Sequence, residues 1–303
     1  MNGTLNKLLA LMLPIVLAFL LTGFIPVQQQ LEPIVETVDE RLQLQRLQAA
    51  SVVELENVFD ELDYVWPPQA EVPAIEISTL PEDISEIADV KKKKSIFFRA
   101  LLPIVLAENK KISEVRERVI ELIDKGVVNL NQAEKRWLQA IAVEYKLKGN
   151  VNDPKTQQRL FRRVDVVPPA LVLAQAANES AWGTSRFARQ GNNLFGQWTY
   201  RQSEGIVPLG RPEGATYAVR AFATVDASVR AYLRNLNTNA AYKKLRLLRQ
   251  QMRTAGEALD AHRMANGLTA YSSRGEEYIR EIQSMMRSNR LLTTLDNLSL
   301  DRL

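Results

Sequence analysis

Residues 165–183 read Asp165-Val166-Val167-Pro168-Pro169-Ala170-Leu171-Val172-Leu173-Ala174-Gln175-Ala176-Ala177-Asn178-Glu179-Ser180-Ala181-Trp182-Gly183, and they predict a helix with a definite start and stop. Paired prolines suit the first turn, where no N–H donor is needed, and Gly183 suits a terminator. Leu171, Ala174, Gln175, Asn178 and Glu179 fall on one stripe at helical spacing, flanked by Val172, Leu173, Ala176 and Ala177. Glu179 is thus expected to be partly enclosed and in the last turn. There the negative end of the helix dipole and the nearby Trp182 both disfavour a carboxylate, so its pKa should lie above the ordinary range. A carboxylic acid held in that state can give a proton to a glycosidic oxygen. The plain alternative is a solvated glutamate at a helix end, which is what most glutamates are.

The next residues, Thr184 to Trp198, form a polar stretch containing Gly191, Asn192, Asn193 and Gly196, with Phe187, Phe195 and Trp198 interleaved. Beside a buried acid, such a loop suits sugar recognition, because aromatic faces stack on sugar rings while amides bond hydroxyl and N-acetyl groups. Candidate substrate-binding residues are Gln175, Trp182, Asn193, Phe195, Gln197, Trp198 and Tyr200. Each has a packing role as its alternative.

The string AQAANESAWGTSRFARQGNNLFGQW, residues 174–198, closely resembles the core of bacterial glucosaminidases of glycoside hydrolase family 73. These share an AQAxxESxWGxS…NNLFG pattern. The span from about Phe97 to Asn289 is similar to the Bax-type branch of that family. Further matches are Leu102-Pro103 followed by Ala107-Glu108-Asn109, the Val164-to-Pro169 lead-in, Ser228 to Thr238, and Tyr271-Ser272-Ser273-Arg274-Gly275-Glu276-Glu277-Tyr278. The resemblance implies a lysozyme-like helical domain with a small β-lobe that hydrolyses the bond after N-acetylglucosamine in peptidoglycan. It places Glu179 on the family's catalytic acid, and it brings Tyr271 toward the sugar next to that acid. A core tyrosine with a bonded hydroxyl is the alternative for Tyr271.

Residues 197–222 suit the β-lobe, with Val207 and Val219 in short strands among Gly205, Pro208, Gly210, Pro212 and Gly214. Glu204, Glu213 and Asp226 are the downstream candidates for a second carboxylate. The branch often has a glutamate where this chain has Ala218, so the second role stays open between Glu213, Glu204 and the substrate's own acetamido group. Asp226, near a helix start, suits a dipole or capping role.

Upstream, Ile112–Lys125, Gln132–Lys146 and Asp153–Arg163 carry apolar residues three or four apart, and Asn131 is placed to cap the second. Few β-branched alternations appear, so the fold class is mainly α, an α+β arrangement of helices with a small β-lobe. The apolar run 95–107 holds Arg99 and Pro103 and is too short to span a bilayer, which makes it a buried or interfacial segment.

Leu8 to Val27 is uncharged and about as long as a bilayer core is thick. Lys7 precedes it and no Lys or Arg follows before Arg41, so a single-pass anchor with the remainder in the periplasm or exoplasmic space is expected. A cleaved signal peptide would give a secreted form. The expected organisation is a signal anchor at 1–27, an acidic and partly helical linker at 28–92 that is flexible beyond Trp66, the helical N-terminal part of the catalytic domain at 93–164, and the glucosaminidase core at 165–303. Within the linker, apolar spacing from Val35 to Val65 admits a helix.

Composition bounds these readings. The 303 residues hold no Cys and one His, His262, which excludes thiol nucleophiles, disulfides, and Cys- or multi-His metal sites. No cofactor or metal is called for. The net charge of +4 divides unevenly: residues 1–90 hold 3 Lys and Arg against 15 Asp and Glu, a net of −12, and residues 91–303 hold 36 against 20, a net of +16. In the basic half Arg234, Lys243, Lys244, Arg246 and Arg249 read mostly as a solvated helix face, whose summed positive field also suits a wall rich in peptide carboxylates and other anions. With export expected, peptidoglycan glycan strands are the expected partner and nucleic acid is not. The rival readings are a non-catalytic glycan-binding or cell-morphology factor and a lytic transglycosylase.

Overall fold

The computed structural model describes residues 44–69, 71–295, 298 and 300. The Leu8–Val27 stretch lies outside the described residues, as does the start of the apolar pattern at Val35. Among the described residues no helix is long and apolar enough to cross a membrane.

The architecture is mainly helical with two small sheets. A short strand β1 (Gln45–Leu47), helix α1 (Val52–Glu61) and strand β2 (Ile75–Ile77) lead into the long helix α2 (Val90–Asp124). Then come α3 (Gln132–Glu144), α4 (Pro154–Arg163), α5 (Pro169–Ser180) and the short α6 (Arg186–Gly191). Strands β3 (Trp198–Thr199), β4 (Gly205–Ile206) and β5 (Ala218–Arg220) form the lobe, followed by α7 (Val225–Thr238), α8 (Lys243–Thr254), α9 (Ala261–Ala265), α10 (Glu276–Ser288) and α11 (Leu291–Thr294).

The middle of α2 is the spine of the main core. Ile96, Phe97, Phe98, Leu101, Leu102, Ile104 and Val105 are all buried, so the expected apolar run at 95–107 is interior. Asp89 caps this helix by accepting from the Lys91 and Lys92 amides, and Lys91–Lys94 lie in its first turn. Helices α5 and α7 pack across α2. A second, smaller core lies where the far end of α2 meets α3 and α4, around Val119, Leu122, Leu138, Ile141 and Leu160. Asn131 caps α3 in a reciprocal box with Glu134, as its position predicts.

The stretch 44–89 departs from the linker expectation. Val72, Ile75, Ile77, Leu80 and Ile84 are buried in the main core, and Trp66 stacks on Phe98 with ring centroids 4.7 Å apart. Leu44 and Leu47 belong to a strand region, with β1 pairing in parallel to β2, not to a helix. The buried face of α1 is Val52, Leu55 and Phe59. The acidic charge misleads here because several of the acids are structural: Asp83 accepts from the Val52 amide at 2.9 Å, and Glu56 pairs with Lys92 at 2.8 Å. Charge sits on the outer faces while the apolar residues between pack inward.

The β-lobe is a three-stranded antiparallel sheet in the order β3-β5-β4, with Val219 opposite both Trp198 and Ile206. Val219 is central and buried, whereas Val207 follows β4 and is exposed.

Candidate active site

Pro168 and Pro169 open α5 as the sequence predicts, but the helix stops at Ser180, three residues before Gly183. Ala181, Trp182 and Gly183 then take φ of 50°, 61° and 81°, turning the chain sharply. Ser180, fully buried, ties this turn by donating to the Ala176 carbonyl and accepting from the Gly183 amide. Glu179 thus sits one residue from the helix end, with its side chain only partly exposed. Burial pushes its pKa above the usual carboxylate range, against smaller opposing effects from hydrogen bonds with Tyr278 and Asn178.

Behind the carboxylate runs a relay of buried polar groups. The Tyr232 hydroxyl donates to Gln175 Oε1 at 2.5 Å, Gln175 Nε2 donates to the Tyr278 hydroxyl at 2.8 Å, and Tyr278 in turn hydrogen-bonds Glu179. Gln175 lies one turn before Glu179 on α5, Tyr232 on α7 and Tyr278 on α10, so three helices fix the acid's orientation. Burial raises the pKa of both tyrosines, which keeps their hydroxyls protonated and able to donate. Tyr271 stacks on Tyr278 with centroids 5.4 Å apart and rings 5° from parallel, and its hydroxyl donates to the Phe195 carbonyl at 2.9 Å. That bond draws the 191–198 loop over the end of α5. Tyr271 is therefore a bonded core tyrosine in this arrangement, its alternative role.

Within that loop, side chains expected on the sugar turn out to build the loop itself. Asn193 is buried and donates to the Gln197 and Arg220 carbonyls at 2.8 and 2.7 Å, while its Oδ1 accepts from the Phe195 and Gln197 amides. Gln197 Nε2 donates to the Ser228 carbonyl, and Phe195 stacks on Tyr232 at 3.9 Å in the core. Trp182 meets Phe97 and Phe98 edge-on, with the Lys94 ammonium 4.7 Å from its ring centre, so its contacts are packing contacts against α2. Gln175 is fully buried and acts through the relay. An amide or aromatic in a loop beside an acid reads the same from sequence whether it faces a ligand or its own backbone.

What the loop presents to the acid is Gly196. It is exposed, has φ of +63°, and a Cβ built there would stand 3.6 Å from Glu179 Oε2. Trp198 and Tyr200 are 58% and 81% exposed on the lobe that continues from it, and Trp198 is braced edge-on by Tyr217 at 4.9 Å. Of the aromatic candidates, these two are open to a ligand.

Glu204 is exposed and paired with Arg201 at 2.9 Å, and Glu213 is exposed in the loop between β4 and β5. The carboxylate whose charge Glu179 feels is neither of these. It is Glu281 on α10, which is ion-paired to Arg274. Arg274 also acts on Glu179, in the opposite sense, and lies 5.9 Å from the Tyr278 ring centre. Glu281 follows Tyr278 by three residues, one helical turn on, and that spacing was the signal available for it. Asp226 pairs with Arg230 at 3.2 Å in the first turn of α7, the dipole role expected of it. Among the described residues no three His, Asp or Glu side chains gather as a metal site.

A family model described as glucosaminidase, mannosyl-glycoprotein endo-beta-N-acetylglucosaminidase, matches residues 155–291. Protein bax of Escherichia coli (strain K12) is 34% identical over 216 residues, spanning 71% of this chain and 76% of that protein. The chain belongs to the Bax-like glucosaminidase family. No solved structure matches it. The glucosaminidase match runs from the start of α4 to α11 and contains Glu179, Gln175, Tyr232, Tyr271, Tyr278, Gly196 and Glu281. Such a domain makes the protein a glycosidase in kind, with a glycan as the substrate class.

Proposed function

We propose that this glucosaminidase is a peptidoglycan hydrolase, an endo-β-N-acetylglucosaminidase in which Glu179 protonates the leaving glycosidic oxygen. The observation that carries this reading is the environment of Glu179: a carboxylate at a helix end, its pKa raised by burial, oriented by Tyr278, and facing the exposed Gly196. A general acid needs its proton, and desolvation shifts Glu179 in that direction. Gly196 leaves the carboxylate's outer side uncrowded, and exposed Trp198 and Tyr200 offer faces for sugar rings. The attacking group is a water or the substrate's acetamido oxygen. Glu204 and Glu213 lie in the lobe without an interaction that ties them to Glu179, and Glu281 is engaged by Arg274.

The uncharged Leu8–Val27 stretch supports a single-pass anchor in the cytoplasmic membrane with the domain facing the wall. The test of activity is product analysis. Purified protein is incubated with peptidoglycan, the new ends are reduced with borohydride, and the fragments are identified by mass spectrometry. New reducing N-acetylglucosamine ends are expected. Anhydromuramyl ends would make it a lytic transglycosylase, and intact strands that nonetheless sediment with the protein would make it a glycan-binding factor.

A further inference from the structure

Helices α4 and α8 pack side by side, and both are rich in cations. The arginines at this junction, Arg116 of α2 included, divide into two groups with different surroundings. On one side Asp165, almost fully buried, is the counter-ion: it lies 3.6 Å from Arg116, 3.5 Å from Arg249 and 3.0 Å from Arg253. On the other side a cavity of about 490 Å³ is lined by Lys155, Arg159, Arg162, Arg163, Lys243 and Arg246, and among the described residues by no carboxylate. None of these six is ion-paired among the described residues. None belongs to the Glu179 cleft.

We infer that this cavity is a binding site for a compact multivalent phosphate anion, of which diphosphate is the simplest member.

The walls are pre-arranged for it. Arg163 Nη1 is held by the Tyr145 and Lys146 carbonyls, and Arg246 Nη1 by the Leu236 and Asn239 carbonyls. Both guanidinium groups are thereby fixed, while their Nη2 groups have no hydrogen-bond partner among the described residues. Arg162 Nε is buried and likewise has none. Burial first, and then the charges of Arg163 and Arg162, push the Arg246 pKa down to about 10, so the cations repel one another. The N-terminal end of α8 brings Lys243 to the same cavity, beside Ala240 of the preceding turn, and adds positive potential. Arg forks match phosphate oxygens in pairs, and several converging forks favour an anion with more than one charged oxygen group. A substrate carboxylate would use one or two of these donors. Six converging cations with no internal acid suit a phosphate cluster, whether free in solution or carried on a lipid headgroup.

The test uses the full chain at low ionic strength with inorganic diphosphate as the probe, followed by calorimetry. One saturable site is expected, together with a rise in Tm on adding diphosphate. In the Arg159→Ala/Lys243→Ala variant affinity should fall about tenfold or more, since charge-assisted bonds are lost. Both side chains are exposed and make no side-chain hydrogen bond, so the unliganded Tm should stay level or rise as repulsion is relieved. The charge-matched Lys91→Ala/Arg136→Ala variant should bind as the parent does. No saturable binding, or equal weakening in both double variants, would overturn the site. Sedimentation with phosphatidylcholine vesicles, with and without phosphatidic acid, separates the sources. Capture that needs phosphatidic acid together with Arg159 and Lys243 identifies a headgroup; diphosphate binding without such capture identifies a free anion; both support the site. Glycan cleavage is not part of the readout, so the outcome is independent of the role proposed for Glu179.

Discussion

Replacing Tyr278 by Phe removes one oxygen atom and keeps the ring that stacks on Tyr271 at 5.4 Å. Two consequences follow from the two bonds that oxygen makes. Gln175 is fully buried, and its Nε2 loses the acceptor that stood 2.8 Å away. An unsatisfied buried amide costs about 1–3 kcal/mol, which lowers Tm by roughly 2–4 °C per kcal/mol in a domain of this size. Glu179 loses the donor that partly offsets its burial, so its pKa, already raised, rises further. A general acid works while protonated, and rate falls as pH passes above its pKa. The alkaline limb of kcat/KM on peptidoglycan should therefore move to higher pH in Tyr278→Phe, while Tm falls. A limb that moves down or stays in place would refute the relay as the device that sets the acid's proton affinity. An unchanged Tm would refute the bond to Gln175.

Other outcomes test the frame around the site. Asp165→Ala leaves the fully buried Arg249 without its carboxylate and should cost about 3–5 kcal/mol in urea unfolding, against about 1 kcal/mol or less for Asp226→Ala in the first turn of α7. Gly267→Ala should lower stability by about 1–3 kcal/mol or more, because its Cβ would lie 2.3 Å from Leu245 Cα, a backbone atom of α8 that cannot swing aside; an unchanged Tm would mean that α8 yields. Glu179→Gln should be more stable than the parent at neutral pH and equal to it below about pH 4. The sign follows from the raised pKa: the parent's stability contribution is present below the unfolded-state value and is lost as pH rises through the folded one. Thermal melts across that range check it, and a variant less stable at neutral pH would contradict the burial argument.

Much of the site was legible because it depends on local spacing. Pro168-Pro169 and the 3.6-residue stripe placed Glu179 in the last turn of a buried helix, and Asn131 announced a capped start. Long-range partnerships were not legible. Tyr278 stands 103 residues from Gln175 and Tyr232 stands 57 from it, and nothing in either segment alone marks them as parts of one relay. Asn193 illustrates a second limit: an amide that satisfies three backbone groups of its own loop and one of β5 has the same local pattern as one that binds a ligand. The segment 44–89 illustrates a third, because its acid content hid an apolar set at 72, 75, 77, 80 and 84 that completes the core around α2.

The most direct measurement of the central claim is the rate of peptidoglycan cleavage by Glu179→Gln beside the parent protein, with folding of both verified by circular dichroism. A loss of about 10²–10⁴-fold in kcat with binding to the glycan retained is expected when a general acid is removed without disturbing its cleft. Cleavage by the variant at a rate comparable to the parent's would contradict the claim.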